Sequence, residues 1–97
     1  MKYTLHPEAR RDLREAAQYY RDQAGLSRSQ ALLREFKRGV ELLLRYPGLG
    51  GIWLCGKRRL LLRRFPYSII YTIEGDVVLI LAVAHHSRES GYWQGRE

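Results

Sequence analysis

Residues 58–85 read RRLLLRRFPYSIIYTIEGDVVLILAVAH, and the hydrophobic pattern changes along them. Ile69, Tyr71 and Ile73 alternate with Ser68, Ile70, Thr72 and Glu74. This alternation, rich in β-branched and aromatic residues, predicts a strand on a half-buried surface. Gly75 and Asp76 follow, a pair that tolerates positive φ, and they predict a tight hairpin turn. Across residues 77–84 every side chain is apolar and the alternation stops. A run so short and so apolar predicts a strand covered on both faces, hence a central one. With Leu60, Leu61 and Leu62 on a preceding strand, the segment predicts a three-stranded meander.

Upstream the period lengthens. Residues 2–5 alternate briefly and predict an edge strand, and Pro7 sits where a helix can begin without losing a needed N–H. Leu13, Ala16, Ala17, Tyr20 and Ala24 recur at helical spacing and predict a packed stripe. Arg10, Arg11, Asp12, Arg14, Glu15, Arg21 and Asp22 fill the other positions and are expected to face water. Gly25 is a stop signal, and Ser27 with Gln30 forms a capping-box pattern for a second helix. The second stripe, Leu33, Phe36, Val40, Leu43 and Leu44, ends before Pro47, and the short connection predicts an antiparallel helical hairpin. Gly48, Gly50 and Gly51 mark a flexible link to the sheet. Ile52, Trp53 and Leu54 are expected to tuck into the core rather than start a strand. The fold class is therefore α+β: an N-terminal strand and a two-helix hairpin packed on a mainly antiparallel sheet, with residues 1–97 as one domain.

Charge changes the picture. The chain carries 17 Lys and Arg against 10 Asp and Glu, a formal net charge of +7, which points to an anionic partner. Helical charges are closer to balance, but residues 47–73 contain Lys57, Arg58, Arg59, Arg63 and Arg64 and no acid. Solubility alone would not require that segregation, and the cluster predicts a positive binding surface on the open sheet face or at its edge. No apolar run reaches the roughly 18 residues of a membrane span, and no hydrophobic leader is evident, so no membrane role and a cytoplasmic location are expected. The lone Cys55 has no second cysteine to pair with, and no metal site or cofactor is expected.

After the central strand the chain becomes polar and then aromatic, HHSRESGYW. His85, His86, Arg88 and Tyr92 are residue types that could move protons and stabilise a phosphate in RNA cleavage. Adjacent histidines on a strand point to opposite faces, which opposes their cooperation. Trp93 is expected to close the sheet edge by packing, and Tyr92 is open between packing and base stacking. There is no Gly-rich phosphate loop and no nucleophile elbow.

Arg64-Phe65-Pro66-Tyr67-Ser68-Ile69-Ile70-Tyr71, the strand end Ala82-Val83-Ala84-His85 and the pattern HxxRxxxYWxxR at residues 85–96 resemble the RelE/ParE superfamily of bacterial toxins. The order of N-terminal strand, helical hairpin with an EAxxYY-like segment at residues 15–20, and meander is similar as well. The resemblance implies a toxin neutralised by a cognate antitoxin that wraps its surface. It also implies one of two targets: RelE-like members cut mRNA on the ribosome, whereas ParE-like members poison DNA gyrase without evident catalysis. RelE-type endonucleases carry an arginine after the first tyrosine of the strand motif and lysines on the strand before it; here stand Ser68 and Leu60, Leu61 and Leu62. A further arginine expected beyond the central strand has only His86 or Arg88 near its place, and Tyr92 alone matches cleanly. The RFPY and HxxRxxxYW elements are more similar to ParE.

The expected reading is a ParE-like gyrase inhibitor, with Lys57, Arg58, Arg59, Arg63, Arg64, Arg88, Tyr92 and Trp93 as target or nucleic-acid contacts. The enzymatic alternative is an endoribonuclease, with His85 or His86 as base, Arg64 and Arg88 stabilising the phosphorane and Tyr92 as acid. A basic nucleic-acid-binding module without toxicity is a third class. The oligomeric state is not indicated.

Overall fold

The computed structural model describes residues 1–96. Strand β1 (Lys2–Leu5) leads into helix α1 (Pro7–Ala24), which is followed by α2 (Leu26–Arg45). The sheet is then completed by β2 (Gly51–Ile52), β3 (Arg58–Leu61), β4 (Tyr67–Glu74) and β5 (Val77–His85). Spatial order is β1-β5-β4-β3-β2. The meander pairs antiparallel, while β1 joins β5 in parallel register, Lys2 opposite Val77 and Leu5 opposite Ile80. This is the expected α+β arrangement, and the all-apolar strand β5 lies between β1 and β4.

Both helices cover one face of the sheet. Leu32, Phe36, Val40 and Leu43 from α2 meet Ile69, Tyr71, Val78, Ile80 and Val83 in the main core. The α2 stripe therefore runs through Leu32 and not Leu33, which is 41% exposed. One residue is about 100° of helix rotation, enough to carry Leu33 off the packed face. A Cβ at Gly39 would lie 3.0 Å from Ile69 Cδ1 and 3.3 Å from Leu62 Cδ2, so the missing side chain is what lets α2 lie this close to the sheet.

The helix junction also differs from the expected capping box. Gly25, at φ 92, is both the stop of α1 and the N-cap of α2, so the second helix begins one residue ahead of Ser27. A positive φ is cheap only for glycine, and it reverses the chain in a single residue. Ser29 then ties the hairpin together by donating its hydroxyl to the Ala17 carbonyl at 2.8 Å. On α1, Ala24 is exposed, whereas Asp12 is buried with Ala9 and Ala16. Asp12 is three residues from Ala9 and four from Ala16, on the packed stripe itself and not among the solvated charges.

The link between α2 and β3 corrects a further expectation. Ile52 forms the short edge strand β2 and is 69% exposed, and Trp53 is exposed too, so neither enters the core. The loop is held by other groups: buried Tyr71 donates its hydroxyl to the Pro47 carbonyl at 2.6 Å and accepts from the Gly50 N–H at 2.9 Å. Arg58 donates to the Gly50 carbonyl at 2.9 Å. With the link satisfied from the sheet side, Ile52 and Trp53 are left facing outward.

Candidate functional site

Strand β1 ends at Leu5, so β5 has no strand neighbour on that side beyond Ile80. Backbone groups of a buried strand need partners, and here side chains supply them. Asp12 Oδ2 accepts from the Val83 N–H at 3.1 Å, and Arg96 Nη1 donates to the Leu81 carbonyl at 3.0 Å. Arg96 also meets Asp12 Oδ2 at 2.7 Å, and the Tyr92 hydroxyl donates to the same oxygen at 3.0 Å. Arg88 approaches Asp12 Oδ1 at 3.9 Å and lies over the Tyr92 ring, 3.7 Å from its centroid. The tail after β5 thus folds back and completes the strand's open edge through one carboxylate on α1.

The network fixes the chemistry of its members. Burial, with the adjacent Asp12 charge, raises the Tyr92 phenol well above its ordinary value. A phenol so placed, already donating to a carboxylate, is a poor proton source for a substrate. Trp93, one residue on, turns to the opposite sheet face and packs with Ile70 and Ala82 at 2% exposure. It closes the sheet as expected of a packing residue, and its burial removes it from the surface contacts.

The other predicted residues separate into distinct places. His85 stacks edge-on against Tyr67 on the helix side, ring centroids 4.9 Å apart, and its Nδ1 accepts from the Ser87 N–H at 3.0 Å. His86 takes the other side, its Nε2 2.9 Å from Ser68 Oγ. The two imidazoles thus have different partners, although both border one shallow depression. Arg59 lies on the open face with its guanidinium 3.6 Å from the Trp53 ring centroid, and together with His86, Arg88 and Tyr92 it borders a shallow depression of about 40 Å³. Lys57 follows the short 3-10 turn at residues 54–56, and Arg58 is engaged with the glycine loop. Arg63 and Arg64 lie past the end of β3, in a bend beside α2. The basic cluster is thus not one surface, because β3 ends before its last two arginines.

A larger groove, about 410 Å³, opens between α1 and the end of β5, where Asp12, Glu15, Tyr19, Tyr67, His85 and Arg88 meet. Among the described residues no cluster of three or more His, Cys, Asp and Glu could hold a metal ion. No helix among them is long and apolar enough to cross a membrane.

A family described as the ParE toxin of the type II toxin-antitoxin system parDE matches residues 3–90. The chain belongs to this family. Among solved structures, one described as a chromosomal ParDE toxin-antitoxin system from P. aeruginosa aligns with a TM-score of 0.74 at 24% identity, over 87% of this chain and 91% of that one. At that identity the likeness is one of fold, and it matches the strand-first α+β arrangement found here. No curated protein matches.

Asp12 and Arg96 are the site residues that the candidate set missed. In this ParE-family chain the signal for Asp12 was an acid on an apolar helix stripe, a position that calls for a buried partner. Arg96 closed the HxxRxxxYWxxR pattern but carried no assigned role.

Proposed function

We propose that this ParE-family chain acts in the cytoplasm as a binding poison of DNA gyrase and is neutralised by a cognate antitoxin protein. The observation that carries this reading is that the groups an endonuclease would need are not free to act together on one phosphate. His85 is packed against Tyr67 and His86 is engaged by Ser68, Arg64 stands beside α2, and the Tyr92 hydroxyl is committed to Asp12. Cleavage by 2′-OH attack requires base, acid and phosphate-stabilising group around one phosphate. His85, His86, Arg88 and Tyr92 do border one depression, but at about 40 Å³ it is far smaller than a ligand pocket and its phenol is already committed, whereas a binder needs only surface. Arg59, Arg63, Arg64 and Arg88 are the contact residues this reading retains.

Expression of the chain should arrest growth, and co-expression of the small protein encoded beside it should relieve the arrest. Replacing His85 and His86 by Gln and Tyr92 by Phe removes the proton-transfer groups while keeping side-chain size. A general acid or base contributes about a hundredfold to ten-thousandfold to rate, so an endonuclease would become non-toxic. The binder should still arrest growth, provided circular dichroism shows the variant folded. A folded variant that no longer arrests growth would favour the enzyme.

A further inference from the structure

Charges far apart in the sequence meet in a groove of about 330 Å³ between α2 and the bend after β3. Helix α2 contributes Arg28, Arg34 and Arg38, and the bend contributes Arg63 and Arg64. The arrangement is held in place. Arg64 sits at φ 67, a left-handed conformation that is costly for a side chain of this size, and its carbonyl accepts from Arg28 Nη2 at 3.1 Å. The Arg28 guanidinium in turn lies 4.2 Å from the Phe65 ring centroid. Glu35 is the acid in the lining, and both its oxygens are occupied: Arg38 binds them in bidentate fashion at 2.7 Å, and the Arg63 N–H donates to Oε2 at 2.6 Å. Five guanidiniums thus surround one carboxylate that is already satisfied.

We propose that this groove binds the phosphodiester backbone of duplex DNA. Guanidinium forks match phosphate oxygens in geometry and keep their charge at every working pH. The apolar lining consists of Ala31 and Phe65, and Phe65 is buried beneath Arg28. With Ala31 and Phe65 as its apolar lining residues, the groove offers a protein partner little to hold an apolar anchoring side chain, and such anchors carry most of the binding energy of protein interfaces. A polyanion needs none. The α2 arginines span ten residues, about 15 Å of helix axis, a length over which one DNA strand presents about four phosphates. The inference does not depend on gyrase being the target, since DNA alone should bind.

The test is fluorescence anisotropy of a labelled short duplex at several salt concentrations. Arg34→Gln, Arg63→Gln and Arg64→Gln are combined, since the contacts that pin the bend run through the backbone of Arg63 and Arg64 and survive substitution. This variant should bind at least about tenfold more weakly, with a salt slope shallower by about three. The control Arg10→Gln, Arg11→Gln and Arg14→Gln removes equal charge from exposed positions of α1 and should change affinity less than about twofold. Equal losses in both variants would assign binding to net charge and overturn the groove. So would unchanged affinity in the first variant, absence of duplex binding by the wild type, or a poly-glutamate peptide binding in preference to the duplex.

Discussion

Asp12→Ala should destabilise the fold by about 3 to 5 kcal/mol, the range for removing one partner from a buried ion pair. The substitution does more than open space on α1. It strips the acceptor from the Arg96 guanidinium, the Tyr92 hydroxyl and the Val83 N–H together. The Asp12 and Arg96 side chains are only 5% and 13% exposed, so water cannot readily replace the lost contacts. Asp12→Asn should cost less, since it retains one oxygen, but its amide would face donors. Urea denaturation measures the loss, and limited proteolysis should show cleavage beyond His86 in the variant and not in the wild type. Asp12→Ala combined with Arg96→Met should cost clearly less than the two single losses added, because the pair fails as a unit. A loss below about 1 kcal/mol for Asp12→Ala would mean that the tail is held by other contacts.

Trp93→Ala should cost about 3 to 5 kcal/mol, the range for deleting a buried aromatic. Trp93 fills the open face of the sheet with Ile70 and Ala82, and Leu54, Ala84 and Tyr92 pack against this cluster. The main core beneath the helices does not include it, so the variant should lose tail packing while keeping native far-ultraviolet circular dichroism at low temperature. Trp93→Phe should recover part of the loss. A melting midpoint unchanged by Trp93→Ala would contradict the packing described here.

The order of elements was legible because the periods in the sequence mark where each element runs, though not always which face it buries. Residues 68–74 became β4, but not the half-buried strand their alternation predicts, since Ser68, Ile69, Ile70 and Tyr71 are all buried and Ile70 clusters with Trp93; the unbroken apolar run became the interior strand β5, and Pro7 and Gly25 bound α1. What the pattern could not carry was pairing between distant segments. The stripe read through Leu13 left Asp12 among the solvated charges, and only the fold reveals that β1 stops short and leaves the Val83 N–H to be satisfied by this acid from α1. Arg28, Arg34 and Arg38 read as ordinary outer-face charges until the bend brings Arg63 and Arg64 beside them. Ile52 and Trp53 looked like core residues from hydrophobicity alone. Tyr71 and Arg58 had already closed the loop beneath them, a contact that no local signal announces.

The proposed target is tested most directly by a supercoiling assay with purified gyrase, relaxed plasmid and the purified chain, run beside an in vitro translation assay. A gyrase poison should block supercoiling and leave cleaved plasmid after denaturation of the enzyme. Equimolar antitoxin should restore supercoiling, and translation should proceed unchanged. Supercoiling that continues undisturbed while ribosome-bound mRNA is cut would contradict the gyrase reading.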